Sequence, residues 1–470
     1  MGRVSGRNRV YLNYKTLMYS TLVVIFTSTV LLFLYLNRIQ PDYFIDEAFH
    51  VPQTLRYCAR NFTQWDPKIT TLPGLYLIAT AILSPFNLCD VAHMRCVNLL
   101  GTCVNLYLFY NIIKRSRGSN ETDRRNDWLT LATACNLALF PPLYFWCFFY
   151  YTDVVSVNAV LLMLYLHQRE RTTAAALAGL LGVLVRQTNV IWLGFFTIER
   201  ALDLFERRME QPVPPGVLST PSHIRLIWRQ IVYESRIGPL SLARFVARIC
   251  GGLLPHVTVC LAFVAFVAWN GGIVVGDRTA HVATVHLCQL LYFAAFVSLF
   301  SWPYVLPHWR ACTRLLRRRW ILAGCAVALM AATVRLNTLV HPYVLADNRH
   351  YWFYVWNRFL GRRAAFRYLP IPVYAASLFA MSRNVAHLRF LTQINYVLCV
   401  CAVLVPQLLV EPRYFILPYV FYRLNMKRPE GWQVCCESLT TLAINCAQFV
   451  IFANKVFYWE DQPYAQRISW

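Results

Sequence analysis

Apolar runs without a charged residue recur along the whole chain: Met18–Leu36, Cys96–Ile113, Trp128–Thr152, Cys250–Gly276, Thr279–Trp309 and Phe390–Val410. Each is long enough to cross, or nearly cross, a hydrocarbon layer about 30 Å thick. Backbone amides in lipid find no water to bond, so the runs are predicted to be helices. Two stretches depart from the pattern. Leu72–Phe86 is about three-quarters of a span in length and has Pro73 and Pro85 at its ends, which predicts a segment that dips in without crossing. Thr172–Ile198 is interrupted by Arg186 and reads as two short helices meeting at that arginine.

The first run leads into Pro41–Leu75, where acids, aromatics, His and Trp are densest. Phe44, Ile45, Ala48, Phe49 and Leu55 recur with near-helical period, while Asp46, His50, Gln53 and Tyr57 fall on another face. This predicts a helix lying in the membrane interface, its apolar side in lipid and Asp46 turned toward a cavity. Asp42, Asp46 and Glu47 would equally suit the first turn of any helix.

Composition changes the scale of the reading. With 57% hydrophobic and 14% charged residues among 470, the chain is far too apolar for a soluble domain and is an all-α polytopic membrane protein. The net charge of +23 comes mostly from Arg and sits in the short segments between apolar runs. That is the positive-inside distribution, and it argues against a nucleic-acid partner. The 16 Cys are dispersed, without a C-x-x-C pair or His/Cys ligand spacing, so neither a zinc site nor a disulfide framework is expected.

Arg3, Arg7, Arg9 and Lys15 precede the first run, and no small-residue cleavage site follows it, which predicts a retained anchor with a cytosolic N-terminus. Lys114–Arg125, Gln168–Arg171, Glu199–Arg248, Arg310–Arg319 and Arg358–Arg367 are then expected on the cytosolic side. Tyr150–Asp153, Arg186–Asn189, Gly271–His281 and His341–His350 collect on the lumenal side with the opening loop, and the side of Glu411–Phe415 is left open. The organisation is a basic N-terminus (1–17), a first transmembrane helix (18–36), a lumenal active-site loop with juxtamembrane helices (37–86), a transmembrane module (87–198), a basic cytosolic loop (199–248) with room for short amphipathic helices, and a C-terminal transmembrane module (249–470).

Candidate chemistry follows from residues out of place in so apolar a chain. Asp46 with Glu47 is a candidate for acid–base work, because a carboxylate partly desolvated at the membrane surface has its pKa pushed up toward the range of a general base. Arg186 stands at a depth where a cation needs water or a partner, although it could also anchor a helix end by snorkelling. Asp277-Arg278 with His281, and Asp347-Asn348-Arg349-His350, are lumenal clusters whose Arg and His groups suit a phosphate or pyrophosphate, or else pair locally. Trp65 and Tyr76 could stack on a sugar or belong to the aromatic belt. Phosphate-binding Gly loops, G-x-S-x-G and H-E-x-x-H are all missing from the sequence, so soluble nucleotide-dependent chemistry is unsupported. Asn61-Phe62-Thr63 and Asn120-Glu121-Thr122 are sequons, neither assigned as a glycosylation site.

A set of motifs then carries a resemblance: Asp46-Glu47-Ala48-Phe49-His50-Val51-Pro52-Gln53, Arg56-Tyr57-Cys58, Trp65 to Tyr76, Arg186-Gln187-Thr188-Asn189, Gly276-Asp277-Arg278, Leu345 to Tyr351, and Arg413 to Tyr419. In this order, from about residue 40 onward, the chain resembles the dolichyl-phosphate-glucose-dependent α-1,2-glucosyltransferases of the endoplasmic reticulum membrane. These add the last glucose to the lipid-linked oligosaccharide of N-glycosylation. The resemblance implies a GT-C-like bundle of about 11–14 membrane helices, with the active site facing the lumen. It implies dolichyl phosphate glucose as donor, the dolichyl-pyrophosphate-linked oligosaccharide Glc2Man9GlcNAc2 as acceptor, and membrane lipid as surroundings. Asp46 takes the place of the proposed general base, with Glu47 in the same dipeptide. His50, Gln53, Trp65, Arg186, Asp277, Arg278, Asp347, Arg349 and His350 are the expected substrate-binding residues, with Arg349 and His350 foremost for the leaving phosphate. No cofactor or obligatory metal is expected. Rival readings are a transporter or lipid-moving protein, for which an intramembrane Arg and lumenal acids would also fit, a related transferase acting at another sugar step, and a non-catalytic partner of another membrane protein.

Overall fold

The computed structural model describes residues 4–117, 127–209, 214–278, 283–460 and 464–470. The sequon at Asn120, Pro212 and His281 lie outside the described residues. The protein is a predominantly helical, multi-pass membrane protein. Among the described residues seven helices are long and apolar enough to cross a bilayer, or eight if a bent pair counts as one span.

Helix α1 (Val4–Ile39) contains the first run, and α2 (Glu47–Cys58) and α3 (Gly74–Leu83) follow it. Cys58, the last residue of α2, is disulfide-bonded to Cys89, just beyond α3. The chain between them therefore leaves and returns at one end of the bundle, in agreement with the short segment that dips in without crossing. The disulfide itself runs against the cysteine reading, since nothing in the local spacing brings the end of α2 to the entry of α4 (Val91–Ser116).

The run Trp128–Thr152 is not one straight span. It divides into α5 (Asp127–Ala138) and α6 (Pro141–Phe145), which continues as a 3-10 turn to Phe148, with a bend of 58° between the parts. Pro141 and Pro142 have no amide hydrogen to continue the α5 ladder, which explains the break. The aromatic side chains beyond the bend, from Phe140 to Tyr151, are buried in the main core, except Tyr150, which packs in a second cluster with residues of α2 and α3.

Helices α7 (Thr152–Gln168), α8 (Thr172–Val185) and α9 (Asn189–Glu206) run back and forth across this core. Arg186 sits between α8 and α9 in extended conformation (φ −146°, ψ 121°), the break expected from its charge. The basic loop holds α10 (Pro215–Leu218) and α11 (Ser222–Ile237), joined at Gly238 to the long α12 (Pro239–Asn270). Then come α13 (Cys288–Val305), α14 (Trp309–Arg318), α15 (Trp320–Asn337), the short α16 (Pro342–Ala346) and α17 (Tyr351–Val355), α18 (Ile371–Val385), α19 (Phe390–Leu404), α20 (Ile416–Leu424) and α21 (Gly431–Asn454). A two-stranded antiparallel ribbon, β1 (Val456–Phe457) with β2 (Gln466–Arg467), follows.

Contacts between distant segments order the two ends of the bundle. At the end away from α2, Arg389 pairs with Glu199, Asp203 and Glu206 of α9. Near that end Asn384 of α18 bonds His308 and the Tyr304 carbonyl. Helix α18 therefore starts at the α2 end, and the preceding Arg358–Arg367 lies there too, contrary to the charge-based expectation. The helical pieces between His350 and Ile371, the continuous stretch 351–360 and the five residues Ala364–Tyr368, are too short to cross. The same tracing puts Glu411–Phe415 at the α2 end, where Arg413 meets Asp46.

Candidate active site

The opening loop is held in place by Glu47 and Tyr151. Glu47 has no solvent exposure, and all of its acceptor capacity is engaged. Oε1 accepts from Arg95 Nε (2.9 Å) and Tyr150 N (2.6 Å), and Oε2 from Arg95 Nη2 (2.6 Å) and Phe44 N (2.9 Å). Arg95, at the start of α4, also donates to Asn37 Oδ1 and to the Gln40 and Asp42 carbonyls, so one buried guanidinium gathers the end of α1 and the loop. Tyr151 spans the next residues: its hydroxyl donates to the Phe44 carbonyl (2.9 Å) and accepts from Asp46 N (2.8 Å). Between them Ile45 is held at φ 47°, a conformation a β-branched residue rarely adopts. Phe44, expected on the lipid-facing side of an interfacial helix, is instead buried against Phe149 and Phe452.

This arrangement separates the two adjacent acids. Glu47 points into the fold, while Asp46 is at the N-terminus of α2 with no capping bond from its side chain. The Asp46 carboxylate instead accepts from Arg413 Nη1 at 3.3 Å, and its side chain keeps 36% of its surface open. Arg413 belongs to the 3-10 turn Pro412–Phe415 before α20. It also pairs with Glu411 (3.1 Å), lies 3.8 Å from Asp153 Oδ2, and stacks over Trp146 and Tyr151. Asp153, buried at the start of α7, receives Arg186 Nη1 at 2.7 Å. Two arginines and three carboxylates thus converge from four separate parts of the chain.

Arg186, Asp153 and Arg413 line one wall of a cavity of about 510 Å³. The remaining wall is largely apolar, with Val157, Trp192, Phe263, Val403 and Leu417 among its residues. Thr70 and Thr71 close one side. The loop carrying them is fastened at two points: Gln187 Nε2 donates to the Thr70 carbonyl (2.9 Å) and Asp277 N to the Pro67 carbonyl (2.7 Å). Gly276 adopts φ 67° at this contact, and a Cβ there would meet the Pro67 oxygen at 2.3 Å, so only glycine permits the approach.

The other sequence-predicted residues divide between cavity and scaffold. His50 is buried one turn from Asp46, with Nδ1 2.7 Å from the Tyr76 hydroxyl. Gln53 binds the opening loop to itself, donating to the Gln64 carbonyl and accepting from Asp66 N. Trp65 bonds the Ile69 carbonyl and packs edge-on against Tyr76. Arg278 reaches the cavity but is folded onto carbonyls of its own loop, including those of Gly271 and Val274. Arg349, foremost for the leaving phosphate on sequence grounds, makes a two-point pair with Asp347 (2.9 and 2.7 Å) and lies over Trp459. His350 is bonded to the Trp470 carbonyl, 3.6 Å from Asp347, and still bears electrostatically on Asp46.

Three residues central to this geometry were not among the predicted ones. Arg95 precedes one uncharged run, Asp153 follows another, and Arg413 opens the Arg413–Tyr419 motif. A charge at the edge of an apolar run was the available signal for the first two. The expected pKa of Asp46 is also corrected. Burial pushes its carboxyl up, but the Arg413 guanidinium and the neighbouring His50 and His350 pull it down further, and the net position is below the usual value of 3.8. Arg413 is shifted the other way: burial opposes its charge, and Glu411, Asp46 and Asp153 outweigh that and keep it protonated.

The model of the DIE2/ALG10 family matches residues 40–424. The chain is 37% identical over 433 residues to a Drosophila melanogaster protein named Dol-P-Glc:Glc(2)Man(9)GlcNAc(2)-PP-Dol alpha-1,2-glucosyltransferase, covering 91% of this chain and 94% of that one. Proteins of the same name from Rattus norvegicus and Homo sapiens are 35% and 34% identical, each over 95% of this chain and 97% of their own. No solved structure matches.

Proposed function

The chain belongs to the DIE2/ALG10 family, and from that membership we propose that it transfers glucose from dolichyl phosphate glucose to Glc2Man9GlcNAc2-PP-dolichol, forming the terminal α-1,2 linkage. The similarity over nearly the whole length to glucosyltransferases of that name carries this reading. The work is done at the endoplasmic reticulum membrane, with the Asp46 end of the bundle facing the lumen. One observation favours that orientation: the Cys58–Cys89 disulfide lies at this end, and such bonds persist in oxidising compartments.

The reaction is a single displacement that inverts a β-linked glucosyl phosphate to an α-glucoside. The acceptor 2-hydroxyl oxygen forms a bond to the glucose C1 as the bond from C1 to the phosphate oxygen breaks. The hydroxyl proton passes to Asp46, and dolichyl phosphate departs as an anion. Asp46 has the open carboxylate for this, whereas Glu47 is saturated by four donors and serves as a positioning residue. Arg413 and Arg186, which line the cavity, are better placed for the developing phosphate charge than Arg349 in its closed pair with Asp347. The phosphate would compete with Asp46 for Arg413. As the guanidinium turns to the donor, Asp46 loses the counter-charge that lowers its pKa and becomes a stronger base. The apolar wall suits the first isoprene units of a polyprenyl tail.

The decisive experiment supplies membranes containing this protein with labelled dolichyl phosphate glucose and an acceptor bearing two glucoses. A third, α-1,2-linked glucose should appear and should be missing with Asp46→Asn. Transfer of mannose, or of glucose to an acceptor with fewer glucoses, would place the protein at another step. Full transfer by Asp46→Asn would remove Asp46 as the base, and no transfer by the purified wild-type protein would favour the non-catalytic reading.

A further inference from the structure

A second cavity, of about 400 Å³, lies at the opposite end of the bundle, where the end of α9 meets the junction of α11 and α12. Arg208, Arg244 and Arg248 line it together with Ile237, Leu240 and Ser241. Nothing in the transfer reaction uses it. We propose that this cavity binds the head group of an anionic phospholipid in the leaflet facing away from the active site.

Its charge is unbalanced. The acid paired with Arg208, Glu234 on α11, is buried, and its carboxylate is shared among Arg208 (3.0 Å), Ser241 (2.6 Å) and Gln230 (3.2 Å). Among the described residues no carboxylate pairs with Arg244 or Arg248, which stand one helical turn apart on the first turns of α12. Two guanidinium groups without a carboxylate, beside a third paired with Glu234, create a site for a phosphate-like anion.

The apolar residues distinguish a lipid from a free phosphate compound. Ile237 and Leu240 at the same cavity are 56% and 62% exposed. They sit where α12, a candidate membrane span of 32 residues, begins. Aliphatic side chains left open beside arginines at the entry of a span suit acyl chains adjoining an anionic head group. On α11 the outward arginines Arg225, Arg229 and Arg236 are flanked by exposed Trp228 and Ile224, an interfacial pattern that continues the same surface.

The test uses the full chain, purified in detergent and exposed to equal amounts of phosphatidylinositol and phosphatidylcholine, with retained lipid read by native mass spectrometry. The wild-type chain should retain phosphatidylinositol preferentially. Arg244→Gln with Arg248→Gln should weaken that preference by about fivefold per arginine, while Arg244→Lys with Arg248→Lys should keep most of it and glucosyl transfer should persist in both. Arg317→Gln with Arg318→Gln on α14 removes equal charge at a different place and should leave the preference intact. An unchanged preference in the Gln pair, or an equal loss in the α14 pair, would overturn the assignment. So would displacement of the lipid by millimolar inorganic phosphate, which would identify a site for soluble anions.

Discussion

Arg413 donates to Asp46 across 3.3 Å although 367 residues separate them in sequence. The contact joins the turn before α20 to the N-terminus of α2, so the proposed base is set by two segments that only the completed bundle brings together. It also holds the Asp46 carboxyl below its usual range, while the same guanidinium pairs with Glu411 and lies 3.8 Å from Asp153.

Asp46→Asn is expected to lower glucosyl transfer by about 10²–10⁴-fold, the usual contribution of a positioned general base. The isosteric amide can still accept from Arg413, so the protein should fold and insert, with the thermal midpoint lowered only by the lost charge pairing. Near-normal turnover in membranes would remove Asp46 from this role.

Arg413→Gln should alter the pH dependence as well as the rate. With the guanidinium present, Asp46 titrates below its ordinary value even though burial acts to raise it. Without it burial is less opposed, the carboxyl pKa rises, and the acidic limb of the rate profile should move to higher pH. A purely structural role for Arg413 predicts lower activity with the limb unmoved.

Glu47 and Arg95 should behave in the opposite way. Removing one member of a buried ion pair leaves an uncompensated charge and costs about 3–5 kcal/mol. Arg95→Met is therefore expected to reduce the thermal midpoint and the yield of inserted protein, with the activity lost in proportion to folded material. A variant with normal stability and no activity would contradict the positioning role.

The parts of the site that could be read beforehand are those with local signals. The Asp46 face of α2 follows from a 3.6-residue period, and the break at Arg186 from one charge in an apolar run. Asp46 and Glu47 could not be told apart because neighbours in sequence look alike until the fold turns one inward. The convergence of Arg413 with Asp46 and Asp153 depends on packing between distant helices, for which no local pattern exists. Arg349 and His350 drew attention by charge alone, and the two-point bond of Arg349 to Asp347 emerges only from backbone geometry. Charge misled in the same way at Arg358–Arg367, where the helices are too short to carry the chain across.

The pH dependence of stability offers a separate check centred on His50. Burial is the main cause that moves its pKa from 6.5 to about 4, with Asp46 acting against it and Arg413 and Arg186 adding to it. The folded protein therefore keeps this ring neutral in a range where the unfolded chain protonates it. Unfolded protein binds more protons between those two values, so stability should fall as pH drops from about 6.5 toward 4, with a slope of up to about 1.4 kcal/mol per pH unit from this group. Asp46 contributes in a lower window: its folded pKa lies below 3.8, so its share is present above that value and lost only in stronger acid. His50→Gln retains a polar partner for Tyr76 without titrating, and should flatten the decline between pH 6.5 and 4 while leaving the more acidic part. Thermal midpoints of the detergent-purified protein across that range will show this, and parallel curves for the two proteins would mean that His50 is already protonated in the folded state.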